Sequence, residues 1–256
     1  MEAVRMRKSF QGVLNIIRFN RHFYIAAVVI IVGLLAAARL SGSWTFWICL
    51  ALTFGLAVST LMSLCISYYV YDLSGLYRFA WLGELSKQTP KYIVNVHAGF
   101  DETSIILKQN FPAATLRVFD FYDPKRHTEI SIERARRAYP PFEETAKIST
   151  AGLSVEAASI DIIFNIFALH EIRERGERVE FLRKQAEALK LDGRCVVVEH
   201  LRDIPNFLAY NIGFLHFFSQ AEWTTNFTEA KLVTECQFRI TPFVTVYILK
   251  PDGNTH

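Results

Sequence analysis

KYIVNVHAGFDETSIILKQNFPAATLRVFDFYD, residues Lys91 to Asp123, decides how the rest of the chain is read. The apolar run Tyr92, Ile93, Val94 and Val96 predicts a strand that ends at a small-residue turn, Ala98-Gly99. A helix-compatible segment follows from about Asp101, and a second apolar run, Leu116, Val118 and Phe119, ends in an acid, Asp120. Strand, turn, helix and strand with a terminal carboxylate form the first half of a nucleotide-binding α/β unit. The turn brings backbone N–H groups and a helix N-terminus towards a ligand, and the acid lies where it can accept from a ribose diol. Of the pattern G-x-G-x-x-G, the turn Asn95-Val96-His97-Ala98-Gly99-Phe100-Asp101 keeps only Gly99.

Upstream, the composition changes. Of 256 residues, 51% are hydrophobic and the mean hydropathy is +0.19, with the excess gathered at the front. Phe23 to Ala38 and Trp44 to Tyr71 are uncharged apolar runs joined by Arg39 to Ser43. A bilayer span needs about twenty apolar residues, so residues 23–71 predict a two-helix transmembrane hairpin. Residues 1–22 predict a basic amphipathic leader, with Phe10, Val13, Leu14 and Ile17 on its apolar side. Arg5, Arg7, Lys8, Arg18 and Arg21 face one acid, Glu2, so positive charge places both termini and the following domain on the cytoplasmic side. The late start of the run argues against a cleaved signal peptide. Trp44, Trp47, Tyr68, Tyr69 and Tyr71 read as interface anchors. Residues 72–89 predict a connector helix, which Pro90 ends.

Downstream, Thr128 or Ser131 can cap a helix that Pro140-Pro141 stops, and a short strand is expected near Ala146 to Ser149. Ile160 to Ala168 is a buried-strand pattern ending in His170-Glu171, followed by an amphipathic helix to Lys190. After a turn at Leu191-Asp192-Gly193, Arg194 to Val198 predicts another buried strand, ending in Glu199-His200. Ile204 to Phe218 is too apolar for free solvent. It is expected to roof the strand ends, dock on the membrane or pack on the hairpin, with Phe207, Leu208, Phe214 and Phe217 against an acceptor's tail. Phe227 to Cys236 reads as a helix, and Gln237 to Ile240 with Pro242 to Leu249 as a β-hairpin. The fold class is therefore α/β, a Rossmann-like, mostly parallel sheet over residues 90–256, closed by an antiparallel hairpin and preceded by the apolar helix pair.

The formal charge of +3 comes largely from the leader, and no basic stripe interleaved with aromatics suggests nucleic acid. The four cysteines form no C-x-x-C pair and no Cys/His cluster with ligand spacing, so no metal is expected.

The layout from Pro90 onward resembles the class I S-adenosylmethionine-dependent methyltransferases. VNVHAGF (Val94 to Phe100) lies where that family has its glycine-rich motif, and RVFDFYDP (Arg117 to Pro124) where it has its ribose-binding acid. SIDIIFNIFALHEI (Ser159 to Ile172) with LKLDGRCVVVEH (Leu189 to His200) resembles its second half, and ITPFVTVYILK its reversed last strand. Asn95 stands where the family usually has an acid, and His97 and Asp101 where it has glycines. The resemblance implies S-adenosyl-L-methionine as cofactor, with Asn95, His97, Ala98, Gly99, Asp120 and Phe121 about it.

Methyl transfer needs placement and, for an acidic acceptor, a base. His170 and His200 both end predicted strands, with Glu171 or Glu199 to orient them. His97, Asp120, His170 and His200 are expected around one pocket, since parallel strands present their carboxyl ends on one edge. The apolar hairpin suggests a lipophilic small-molecule acceptor, such as a phenol, a quinone precursor or an acyl lipid. A non-catalytic binding or assembly module of the same fold at the membrane is the alternative. A nucleotide-using reductase is disfavoured by the absence of G-x-G-x-x-G and of a Tyr-x-x-x-Lys pair.

Overall fold

β1 (Tyr92–His97) and β2 (Thr115–Asp120) run parallel with His97 opposite Asp120, so the first strand and the acid strand end together. The computed structural model of the protein describes residues 7–126 and 129–253. β3 (Ala146–Lys147), β4 (Ile160–Ile166) and β5 (Leu189–Glu199) are also parallel, while β6 (Leu232–Thr241) and β7 (Val244–Pro251) form an antiparallel hairpin. The seven-stranded sheet has the order β3-β2-β1-β4-β5-β7-β6.

The strands read as near-continuous apolar runs because both faces are covered. Val94, Val96, Ile163, Cys195 and Val197 pack beneath α6 (Arg175–Ala188) and α8 (Gln220–Glu229). Ile93, Ile162, Phe164, Val196 and Val246 face α4 (Ser104–Asn110) and the segment from Val70 to Leu85. Each large side chain buried in these layers contributes roughly 1.5–3 kcal/mol. On the first face, fully buried Arg178 donates to the Ile172 carbonyl (2.6 Å) and to Glu222 (2.8 Å), its guanidinium lying over Phe218.

α2 (Arg21–Leu40) and α3 (Ser43–Tyr68) fall on the two apolar runs and pack along one another, with Phe23, Ile25, Val29, Trp47 and Phe54 exposed. Among the described residues these two helices are long and apolar enough to cross a membrane. α1 (Gln11–Phe19) lies within the leader, its first N–H groups held by Asp72: Gly12 and Val13 each donate to that carboxylate at 2.8 Å.

Several expected elements differ. Residues 72–89 form no single α-helix. α3 passes through a π turn (Tyr69–Leu73) into 3-10 segments at Leu76–Arg78 and Ala80–Lys87. Left-handed backbone at Gly75 and Phe79 and the non-helical Gly83 break the chain, and its apolar side chains cover the sheet instead. The helix expected at Phe227 to Cys236 is not there beyond its first turn, since α8 ends at Glu229. Lys231 then turns at φ 61°, and Leu232 begins a strand paired with β7. The turn at 191–193 lies inside β5, where pairing with β4 jumps from Ile160–Leu189 to Ile162–Arg194. α5 (Ile130–Ala138) follows Glu129, and Thr128 lies outside the described residues. The amphipathic helix expected from Glu171 starts only at Arg175, because a 3-10 turn, Leu169–Glu171, closes β4 first.

Candidate functional site

The carboxyl ends of the parallel strands bring His97, Asp120, His170 and His200 to one edge, but in two groups and a separate His200 rather than around one pocket. The first group surrounds Asp120. Asp120 is buried; Tyr122 N–H donates to its Oδ1 (2.9 Å) and Arg136 Nη1, from α5, to its Oδ2 (2.6 Å). Arg136 also donates to the Gly99 carbonyl (3.2 Å) and lies over the Tyr122 ring. Gly99 has φ 94°, which favours glycine, and a Cβ there would press on Tyr122 Cβ at 3.0 Å and displace the Arg136 guanidinium, 2.6 Å away.

His97 Nδ1 accepts from Gly99 N–H (3.1 Å), which leaves the proton on Nε2, a buried donor with no partner. Burial lowers the His97 pKa, although Asp101 and Asp120 oppose that shift. Asn95 turns away from the edge. Its amide donates to Ser104 (2.8 Å) and Thr103 (3.0 Å), tying β1 to the start of α4. The Phe121 ring packs in the core against Phe181.

The second group is a chain of imidazoles and carboxylates. His170 Nδ1 is 2.6 Å from Glu199, which is fully buried, and its Nε2 is 3.2 Å from Glu171. His216 Nε2 lies 3.7 Å from the same Glu171 oxygen, and its Nδ1 is 3.0 Å from Glu129. Burial works against a charge on His170, but the Glu199 and Glu171 carboxylates hold its pKa well above the ordinary value. Burial likewise opposes the Glu171 charge, and the neighbouring His170 and His216 rings outweigh it, holding that pKa well below the usual range. Neither Glu129 nor His216 stood out in the sequence as a partner of His170. The clustering depends on an apolar segment folding back over the edge, which no local pattern announces.

His200 stands apart. Its Nδ1–H donates to the Phe243 carbonyl (2.8 Å), so its Nε2 accepts from the Tyr71 hydroxyl (2.8 Å). Burial pushes its pKa down to about 4, and Phe167 stacks on the ring. With both nitrogens engaged, His200 joins the end of α3 to the sheet and offers no lone pair to a substrate.

The apolar segment comprises α7 (Ile204–Tyr210) and a 3-10 turn, Asn211–His216. Tyr210 and Phe217 pack on His200. Phe207 and Leu208 are exposed, and Phe214 packs on Phe207, so of the four residues expected to hold an acceptor only Phe217 reaches the histidines.

A cavity of about 110 Å³ lies between the groups, bordered by Ala98, Phe100, Ile166, Phe167 and Glu171. A cleft of about 910 Å³ shares Tyr77 and Glu102 with it and opens between α1, the end of α3 at Tyr68, and α4.

No family sequence model matches the chain, and no curated protein does. Solved structures do. The mitomycin 7-O-methyltransferase MmcR superposes with a TM-score of 0.56 at 15% identity, over 97% of this chain and 74% of that one. Human N-acetylserotonin methyltransferase, solved in complex with SAM, gives 0.51 at 12% identity, over 75% of this chain and 56% of that one. The pyocyanin biosynthetic protein PhzM gives 0.50 at 14%, over 73% and 57%. At such identities the likeness establishes architecture: this chain has the class I fold of the SAM-dependent methyltransferases.

Proposed function

We propose that the protein transfers a methyl group from S-adenosyl-L-methionine to a lipophilic small-molecule acceptor at a membrane. The observation that carries this reading is a strand-end carboxylate, Asp120, beside the Gly99 turn, on the same edge as the His170–Glu171 cluster, in a methyltransferase fold.

The donor set suits the cofactor. Asp120 would accept from the ribose hydroxyls, the backbone of Ala98 and Gly99 permits close approach, and the unmet His97 Nε2–H supplies a donor. Binding requires Arg136 to release Asp120 Oδ2. Asn95 and Phe121 act as scaffold rather than as contacts. The cofactor supplies an electrophilic methyl carbon. The chain supplies placement, exclusion of water and removal of the acceptor's proton. The cluster of His170, Glu171 and His216 takes that proton only when His170 is in its neutral form, which Glu199 and Glu171 disfavour; His200, engaged on both nitrogens, is a positioning residue.

The position of the larger cleft, rather than its lining, which includes Arg7, Asp72, Arg78 and Glu102, supports a lipophilic acceptor. It begins beside Tyr68, the last residue of an apolar helix, where Phe10 stacks on that ring, and it meets the small cavity at Tyr77 and Glu102. An acceptor leaving a bilayer along α3 would pass this way; α7 takes no part in the cleft lining. On this reading α2 and α3 span the membrane, with both termini and the sheet domain cytoplasmic. Cysteine-accessibility labelling that finds the C-terminus outside would sink that topology.

The alternative, a non-catalytic binding or assembly module, draws on one observation: Arg136 already satisfies Asp120. Calorimetry on detergent-solubilised protein separates the two. Saturable binding of S-adenosylmethionine is expected, and no binding would leave the module reading. Lipid extracts from cells with and without the protein should differ by a species heavier by one methylene.

A further inference from the structure

His170, Glu171 and His216 converge in a way that their mutual contacts do not fully satisfy. The two Nε2 atoms approach one Glu171 oxygen at 3.2 and 3.7 Å, and the three candidate ligand atoms all lie within 4.8 Å of one another. His216 Nε2 is sealed from solvent and has no hydrogen bond. The opposite nitrogens explain the aim of both rings. His170 Nδ1 is held by Glu199 and His216 Nδ1 by Glu129. A carboxylate on Nδ1–H fixes the tautomer and directs the Nε2 lone pair forward, the support that metal-binding histidines usually have. Arg173 Nη1 ties the two backbones together, donating to the carbonyls of His170 (3.1 Å) and His216 (2.6 Å).

We propose that His170, Glu171 and His216 bind one divalent transition-metal ion, with Zn²⁺ the best fit. Two imidazoles and a carboxylate are a ligand set suited to zinc, with bonds of about 2.0–2.2 Å. Ligands at that distance on a tetrahedron stand about 3.3 Å apart; the 3.2 and 3.7 Å separations from Glu171 are close to this, and the two imidazoles, within 4.8 Å of one another, would have to draw together around the ion. Three carboxylates, Glu129, Glu171 and Glu199, surround the two rings, and a dication would replace the protons on the two Nε2 atoms and face the same carboxylates. Three protein ligands leave a fourth position open, as in sites that take up water or substrate. Glu171 also borders the small cavity.

The site stands on geometry alone; its part in the reaction rests on the methyl-transfer reading, which it deepens. An acceptor hydroxyl in the fourth position gives its proton to water more readily, leaving an oxygen nucleophile at the edge where Asp120 also lies. The acceptor class is then a phenol or enol rather than an amine or a ring carbon.

The test uses the full chain in detergent, stripped with a chelator, dialysed and titrated with Zn²⁺ by calorimetry, with bound zinc counted by elemental analysis. One ion per chain is expected, with affinity at least about 100-fold weaker in Glu171→Gln and in His216→Ala. Glu129→Gln, one bond further out, should weaken binding about 10- to 100-fold, and His22→Ala should not. Circular dichroism and melting establish that each variant is folded. Absence of stoichiometric zinc on folded wild type, or equal affinity in the Glu171 and His216 variants, overturns the site. S-adenosylmethionine is titrated into the same samples. Zinc bound without cofactor upholds the site and removes the methyl-transfer reading; cofactor bound without zinc overturns the site and leaves that reading intact.

Discussion

The Tyr71 hydroxyl lies 2.8 Å from His200 Nε2, joining the end of the second apolar helix to the end of a central strand. Tyr210 adds its hydroxyl at 3.4 Å from that of Tyr71, and Phe167 and Phe217 pack against the ring. In the neutral imidazole that burial favours, Nε2 accepts from Tyr71 while Nδ1 donates to Phe243.

Acid should therefore weaken the protein through His200. The folded pKa is depressed to about 4 by burial, with the Phe243 bond opposing; the unfolded value is about 6.5. A depressed pKa gives stability that is present above about 6.5 and lost as pH falls through about 4, an amount of about 3 kcal/mol if the full shift is realised. Denaturant unfolding of wild type and His200→Gln between these limits checks it. The expected result is a steeper decline for wild type, and parallel curves would refute the assignment.

Gly99→Ala should destabilise the fold by roughly 1–3 kcal/mol, chiefly from positive-φ strain. A melting temperature equal to that of wild type would mean that the loop relaxes freely.

Asp120→Ala should weaken cofactor binding by roughly 1.5–3 kcal/mol, about 10- to 150-fold, through lost charge-assisted bonds to the ribose. Calorimetry on the folded variant measures this directly. Unchanged affinity would move the ribose site elsewhere on the edge, Asp123 being the next acid.

His170→Ala should lower turnover by roughly 10²–10⁴-fold while leaving S-adenosylmethionine affinity near that of wild type. A matching fall in both would place His170 in the cofactor site instead.

Much of the sheet was legible because apolar runs ended in polar residues at functional edges. Val94 to His97, Leu116 to Asp120 and Ile160 to Ile166 fall on strands for that reason. The last part was less legible. Leu232 to Cys236 carries apolar residues at spacings that suit a helix, and only pairing with β7 makes it a strand. Tyr71 looked like any interface aromatic, since its partner lies far along the chain in His200. Arg136 sits in a run with Arg134 and Arg137 that reads as a solvated helix face, and nothing local shows that it reaches Asp120. His216 was hidden for the same reason: ligand spacing in sequence detects clusters on one element, and this one is assembled from separate segments.

Gly12 has a consequence for how separable the parts of this protein are. A Cβ there would lie 2.4 Å from the Tyr71 Cβ and 2.9 Å from Asp72 Oδ2, so the leader helix and the end of the apolar pair are in backbone-to-side-chain contact. A helix pair on a flexible linker is modular and can be exchanged for a foreign one. This joint is a fixed corner: Asp72 clamps the leader, Tyr71 grips His200, and Val70 is part of the layer that covers the sheet. Exchanging α2 and α3 for unrelated helices would therefore have to hold Val70, Tyr71 and Asp72 in their present places.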